Sequence, residues 1–151
     1  MLSNRLVSHL TIPLLFSVGF AWAAGANSPE ALAMAMANAH RSGNVGEIVA
    51  LHHFVSTQNI SVDEQRAIAR REWRALLKQF QISGYRLSML SAPERQQFST
   101  TDSASLVPVK KLIITLVARH GEGKQTVNHY IGHVAGRYLF IEPKKQIKQP
   151  D

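Results

Sequence analysis

The feature that most constrains the fold is an uninterrupted helical pattern in the middle of the chain, over residues 62–80. It opens on Ser61-Val62-Asp63-Glu64, in which the Ser hydroxyl and the Glu carboxylate each accept a hydrogen bond from a free backbone N–H at the helix start. No Gly or Pro interrupts the segment. Apolar residues recur at helical spacing: Ala69, Trp73, Leu76, Leu77 and Phe80. The pattern predicts a long amphipathic helix that packs its Trp73 side against another layer.

Shorter helices are predicted before this segment. Ser28-Pro29-Glu30 supplies an N-cap Ser, a Pro at the first helical position and an acid in the first turn. This helix continues to His40, and Ser42-Gly43-Asn44 stops it. A second, short helix follows, with Ile48, Val49 and His52 on one face.

Strand patterns fill the rest of the chain. Residues 81–90 and 107–119 are rich in alternating or β-branched apolar residues, and residues 91–105 between them are polar and small, which predicts a loop. The closing segments predict a hairpin turn at 120–124, a strand at 125–134, a tight turn at 135–137 and a last strand at 138–141. Helices followed by an antiparallel meander predict an α+β fold with the helices on one face of the sheet.

The N-terminal segment has the pattern of a targeting signal. Arg5 precedes an apolar run of about 15 residues, which is shorter than the roughly 20 that span a bilayer, and Ala21-Trp22-Ala23 fits a signal-peptidase site. We therefore expect a cleaved signal peptide at 1–24, a single α+β domain at 25–142 and a basic disordered tail at 143–151. The protein would be periplasmic or secreted.

Composition excludes several classes of function. The 151 residues carry 17 Lys+Arg against 10 Asp+Glu, a formal net charge of +7, and contain no Cys. Disulfide scaffolds, thiol catalysis, thiolate zinc sites and iron–sulfur clusters are therefore excluded. The sequence has no nucleophile elbow, phosphate loop or His-Glu-x-x-His motif.

Two segments resemble the nuclear transport factor 2-like superfamily, also called SnoaL-like. One is Ala39-His40-Arg41-Ser42-Gly43-Asn44 leading into Ile48-Val49-Ala50-Leu51; the other is the closing hairpin from Tyr130 to Ile141. The resemblance covers nearly all of residues 28–142. It implies a cone-shaped fold of the cystatin/nuclear transport factor 2-like type, with N-terminal helices on a curved antiparallel sheet and a pocket at the open mouth of the core.

The departures from this family concern catalysis. Asn44 stands where members usually have Asp, and nothing after His52 matches the acidic, aromatic-rich segment of enzymatic members such as ketosteroid isomerase. That chemistry needs carboxyl groups in an apolar pocket. Between Glu72 and Glu142 the chain has three acids, all in predicted loops or turns: Glu94, Asp102 and Glu122. A deeply buried catalytic carboxylate is therefore not predicted.

Five residues are candidates to line a pocket between helix and sheet: Trp73, Tyr85, His129, Tyr130 and His133. His129 and His133 share a strand face, but four residues of strand separate them by roughly 13 Å, too far to chelate one metal ion. His40, His52 and His53 have no carboxylate at ligand spacing. No metal and no cofactor are predicted.

A basic stripe is predicted on the long helix, because Arg66, Arg70, Arg74 and Lys78 recur every four residues. It is either a solvated flank whose aliphatic stems cover the core edge, or a strip for an anionic partner such as a lipid head group, a polyanion or an acidic protein face. Nucleic acid is not the expected partner, since the stripe lacks interleaved exposed aromatic residues.

The favoured functional prediction is an exported, non-catalytic domain of the cell envelope that binds a small apolar ligand or an envelope protein. The alternative is an isomerase- or hydratase-like enzyme with His129 or His133 as base and Tyr130 or Tyr85 as hydrogen-bond donor. A third hypothesis is an interaction module of an envelope assembly that uses the basic stripe and tail. Homodimer formation stays open.

Overall fold

The computed structural model describes residues 25–98 and 106–142. The predicted leader and basic tail, and the second part of the predicted loop at 99–105, lie outside the described residues. None of the described helices is both long and apolar enough to cross a membrane.

The first two helices begin where their caps predict. In α1 (Pro29–Ser42), the Ser28 hydroxyl accepts a hydrogen bond from the Ala31 N–H, and Gly43 ends the helix with φ 67°, which a side chain would strain. The Asn44 side chain then accepts from the Glu47 N–H and starts α2 (Val45–Ala50). α2 therefore follows α1 after only two residues.

The long helix α3 (Val62–Gln79) carries the predicted capping box. The Glu64 N–H donates to Ser61 Oγ at 3.3 Å, and the Ser61 N–H donates to Glu64 Oε2 at 2.8 Å. The apolar side of α3 packs against the core through Trp73, Leu76 and Leu77. None of its residues, all of which the structure describes, is fully buried. α3 thus lies over the core without sinking into it.

Four strands in the described part of the chain form one antiparallel sheet in sequential order: β1 (Phe80–Ser88), β2 (Lys110–Ala118), β3 (Lys124–Val134) and β4 (Arg137–Ile141). β1 starts at Phe80, the residue that caps α3, so no loop separates helix and strand. The tight turn predicted between β3 and β4 is confirmed: Ala135 and Gly136 have φ values of 47° and 81°. These elements confirm the α+β class.

A further helix, α4 (Ala92–Phe98), shows that the predicted loop over 91–105 is wrong in its first part. The Ser91 N–H donates to Glu94 Oε2 at 2.8 Å, and the Glu94 N–H donates to Ser91 Oγ at 3.4 Å. This is a second capping box, and its Ser-x-x-Glu spacing was readable in the sequence. The polar composition of the segment hid it.

Helices cover both faces of the sheet, which corrects the expectation that they all pack on one face. α1 and α2 pack on one face through a core that includes Met36, Ile48, Leu112 and Ile131. On the other face Phe98 of α4 contacts the Tyr130 ring, with centroids 4.8 Å apart. An ion pair lies there too: Lys111 Nζ is 2.7 Å from Glu94 Oε1, and the two side chains are 14% and 16% exposed.

Candidate functional site

A groove of about 1130 Å³ lies between α3 and the sheet. α3 supplies one wall through residues spaced three or four apart, which therefore share one helix face: Ala69, Trp73 and Leu76. The floor consists of alternate residues on β2 and β3: Ile114, Leu116, Val127 and His129. Residues 52–57, which follow α2, complete the lining on another side.

The charged groups of the groove are acidic and lie at its rim. Glu72 and Glu142 line it and are both exposed. Among the described residues that line the groove there is no Lys or Arg. Apolar and aromatic side chains form most of the interior, so the groove suits a guest without negative charge.

Trp73 lies at the centre of three histidines. Its ring centroid is 4.9 Å from that of His40, 6.2 Å from that of His52 and 5.6 Å from that of His129, which stacks on it at 23°. Phe140 adds a second aromatic wall, with centroids 5.3 Å from His52 and 5.7 Å from His129. The strand β3, the helix α1 and the segment after α2 thus converge on one side chain of α3.

A backbone hydrogen bond fixes the orientation and tautomer of His52. Its Nδ1 lies 2.8 Å from the Ile48 carbonyl oxygen, which can only accept, so Nδ1 carries the proton. Burial lowers the pKa of His52, and the bond to Ile48 opposes that shift in part. The neutral ring therefore leaves Nε2 as a hydrogen-bond acceptor. Backbone contacts hold this segment against β4, since the His53 N–H donates to the Phe140 carbonyl at 2.8 Å.

His129 also lines the groove, on β3. Neither of its ring nitrogens forms a hydrogen bond with another described residue. Burial, followed by the nearby His52 and His40, lowers the pKa of His129 to about 3. The ring is therefore neutral near pH 7, with one nitrogen that can donate and one that can accept.

His40 lies behind Trp73 and is 8% exposed. Its Nδ1 and the Tyr85 hydroxyl are 2.9 Å apart, whereas its buried Nε2 has no partner in the described part of the chain. Burial, with a smaller effect of His52, lowers the pKa of His40 to about 4. Burial also raises the pKa of Tyr85 to about 12, so both groups of this pair are neutral at pH 7.

These three imidazoles do not assemble a metal centre. Within residues 25–98 and 106–142, no group of three or more His, Asp or Glu is arranged to hold a metal ion. What the cluster offers is an aromatic surface beside neutral nitrogen atoms, which can bind a flat apolar molecule and exchange hydrogen bonds with it.

Only some of the five predicted pocket residues line the groove. Trp73 and His129 line the interior of the groove. Tyr130 also borders it, but its hydroxyl donates to Glu94 Oε1 at 3.3 Å on the α4 side of the sheet. Tyr85 lies behind the groove, bound to His40, and His133 is exposed and contacts Tyr138 at 4.9 Å between centroids.

Sequence reasoning did not single out His52 as a groove residue. The sequence feature that could have indicated it is that His52 follows Ile48 by four residues, so both lie on one helical face. That spacing is what lets the ring of His52 reach the Ile48 carbonyl.

The four residues of the predicted basic stripe also lie in different surroundings. Arg66 lies 3.4 Å from Asp63, and both side chains are well exposed, so this pair adds little stability. Arg70 is exposed. Arg74 and Lys78 line a second, smaller cavity at the other end of α3.

Comparison of the chain with protein-family models, with curated proteins and with solved structures gives no match. The geometry of the groove and of the surfaces around it is therefore the basis for the functional conclusions below.

Proposed function

We propose that this protein binds a small, largely apolar, uncharged ligand in the groove, and that the ligand carries an O–H or N–H group that donates to His52 Nε2. The observation that carries the proposal is the hydrogen bond from His52 Nδ1 to the Ile48 carbonyl. It presents the opposite ring nitrogen as an acceptor beside Trp73 and Phe140.

The aromatic surroundings favour a ring-bearing ligand. Trp73 and His129 are stacked at 23°, and Phe140 stands at a steep angle of 66° to His129. Faces and edges of aromatic rings are thus both available, and pairs of this kind contribute about 1 kcal/mol each beyond buried area. The acidic rim and the lack of cations in the described lining argue against an anionic ligand.

The low pKa values of the buried histidines support binding without catalysis. A general base is most effective when its pKa is near the working pH, but the pKa is about 3 for His129 and about 4 for His40. Both acids of the rim are exposed, and Glu94 is engaged by Lys111 on the opposite face of the sheet. The isomerase- or hydratase-like alternative names His129 or His133 as its base, and of these His129 is a weak base while His133 lies outside the groove lining.

The cone-shaped nuclear transport factor 2-like fold and export to the periplasm or beyond remain part of this proposal. The order of helices and strands and the groove between α3 and the sheet support the first. The apolar segment and the Ala21-Trp22-Ala23 site support the second. A ligand-binding domain of the cell envelope is the function in which these features agree.

The experiment compares two probes that differ by one hydroxyl, 2-naphthol and naphthalene. The chain contains two tryptophans, so Trp22→Phe leaves Trp73, which lines the groove, as the single tryptophan. We expect 2-naphthol to bind about tenfold more tightly than naphthalene, the value of one hydrogen bond of about 1.4 kcal/mol.

In the same background, His52→Phe should lower the affinity for 2-naphthol to that for naphthalene, because the acceptor is lost and the aromatic surface is kept. His133→Phe is the matched control, since His133 is exposed and lies outside the groove lining. Equal affinities of the unmodified groove for both probes would refute the role of His52. Turnover of a ketosteroid or ester by the protein, abolished by a change at His129, would favour the enzymatic alternative.

A further inference from the structure

A second cavity, of about 430 Å³, lies where the C-terminal ends of α1 and α3 meet the end of β2. Four cationic residues line it: Arg41, Arg74, Lys78 and Arg119. They come from α1, from two successive turns of α3 and from the residue after β2. We call this cavity the basic pocket.

The positive charge of the basic pocket is not balanced by acids. Its described lining contains no Asp or Glu. The ion pairs among residues 25–98 and 106–142 are Arg66–Asp63, Lys110–Glu30 and Lys111–Glu94, and none of them includes a residue of the pocket. Four neighbouring cations without a counter-charge attract an anion.

Helix ends account for part of this arrangement but not for all of it. Arg41 and Lys78 lie in the last turns of α1 and α3, where cations are favoured because each helix C-terminus carries about half a negative charge. Two such ends supply about one negative charge, which leaves most of the charge of the four side chains unbalanced.

Hydrogen bonds hold two of the arginines in place. Arg119 Nε donates to the Leu77 carbonyl at 2.8 Å, and its backbone N–H donates to the Gln79 carbonyl at 2.9 Å. Arg41 Nη1 donates to Asn38 Oδ1 at 3.1 Å. A guanidinium group has five N–H donors, so each arginine retains several for a ligand.

We infer that the basic pocket binds a phosphate monoester group. Planar guanidinium groups match phosphate oxygens in paired hydrogen bonds, and Lys78 adds a point charge. A monoester carries close to two negative charges at pH 7, which suits a site with this excess of cations better than a single carboxylate does. Soluble phosphate monoesters and lipids such as phosphatidic acid present this same chemistry, and the test below distinguishes the two sources.

This site is separate from the groove and takes a ligand of opposite character. The groove lining that the structure describes has acids and no cations, whereas the basic pocket has cations and no acids. The inference therefore stands or falls independently of the proposed ligand of the groove.

The test uses the full-length chain at constant ionic strength, with inorganic phosphate and glycerol 3-phosphate as soluble probes in calorimetric titrations. Arg74→Gln/Lys78→Gln removes two charges of the pocket. Arg70→Gln/Arg71→Gln removes the same charge from exposed positions of the same helix outside the pocket. We expect the first pair to weaken phosphate binding at least tenfold and the second less than twofold.

A lipid arm uses phosphatidylcholine vesicles with and without phosphatidic acid in sedimentation assays. Selective loss of vesicle binding in Arg74→Gln/Lys78→Gln supports a lipid source, and selective loss of glycerol 3-phosphate binding supports a soluble one. Equal losses in both double variants, or no binding of any phosphate probe by the unmodified chain, would overturn the inference. Far-UV circular dichroism and thermal unfolding verify that each variant is folded, so that this test does not depend on ligand binding in the groove.

Discussion

The groove and the basic pocket use different sides of one helix and achieve opposite electrostatic characters. In the groove, Trp73 contacts His52 and His129, whose pKa values burial has lowered, so these two imidazoles are neutral at pH 7. In the basic pocket, Arg74 is an exposed guanidinium group. The difference follows from residue type and burial together: a buried imidazole stays neutral at pH 7, whereas a guanidinium group is cationic in either environment.

The largest expected effect that tests this contrast is a loss of stability in mild acid. The folded protein keeps His40 and His129 neutral at pH 5, because their pKa values are about 4 and about 3. The unfolded chain protonates both rings below the ordinary value of 6.5. Their contribution is complete above pH 6.5 and falls as the pH drops toward 4 for His40 and toward 3 for His129, by about 2 kcal/mol per ring at pH 5.

Urea unfolding at pH 7, 6 and 5 measures this loss, which we expect to reach about 4 kcal/mol for the two rings. Glu94 does not interfere. Its hydrogen bonds with Lys111 and the Ser91 backbone lower its pKa to about 2, so its contribution is lost below the ordinary value of 4.5. An unfolding free energy that is constant between pH 7 and 5 would show that the imidazoles are not held in a buried, neutral state.

The next effect concerns the shared helix. Trp73→Ala should lower the unfolding free energy by about 3 kcal/mol, because it removes the ring that His40, His52 and His129 contact. Naphthol binding should be lost with it, while phosphate binding by the remaining folded protein should persist. Arg74→Ala, one residue further along α3 and exposed, is the stability control. Loss of both activities in Trp73→Ala would mean that the two cavities are one cooperative site.

A smaller effect separates one ring of the cluster from the others. His129→Leu removes an imidazole that has no hydrogen bond with another described residue, so at pH 5 it should recover about 2 kcal/mol of the acid-dependent loss. His133→Leu changes an exposed ring on the same strand and should leave the pH dependence as it was. The measurement is the unfolding free energy of both variants between pH 7 and pH 5. If it depends on pH equally in His129→Leu and His133→Leu, His129 is not the source of the acid-dependent loss.

The smallest effect belongs to the basic pocket. Arg74→Gln/Lys78→Gln should change the unfolding free energy by less than about 0.5 kcal/mol, with a slight gain at low salt because repulsion is relieved. Thermal unfolding at low and high salt, with Arg70→Gln/Arg71→Gln alongside, measures it. A loss of more than about 1 kcal/mol would assign these charges to folding instead of to binding a ligand.

The helices were predictable because their determinants are local. Ser61 and Glu64 specify the start of α3 within four residues, and Gly43 specifies the end of α1. α4 obeys the same local rule through Ser91 and Glu94, yet its polar composition outweighed the capping signal in sequence reasoning. Capping residues were therefore sufficient to predict a helix wherever they were given priority over the composition of the segment.

The site was less predictable because it depends on contacts that are distant in the sequence. His129 could be placed on the correct strand face by alternation, but its stacking on Trp73 joins positions 56 residues apart. Tyr85 is an aromatic residue in a strand, which is what the sequence pattern predicts for a pocket residue. Its hydroxyl nevertheless pairs with His40 behind the groove. The basic pocket likewise needs Arg41 and Arg119 beside α3, and only the tertiary fold brings them there.

Because α3 continues directly into β1, the two ends of this groove wall are held in different ways. At that end the helix is anchored on the sheet, because Arg119 binds the carbonyls of Leu77 and Gln79. At the opposite end it is tethered to the exposed chain before it by Gln65, whose amide donates to the Val55 carbonyl at 2.6 Å. The two ends of this wall of the groove are therefore restrained differently: the Phe80 end by the sheet itself, and the Ser61 end by a hydrogen bond to an exposed segment.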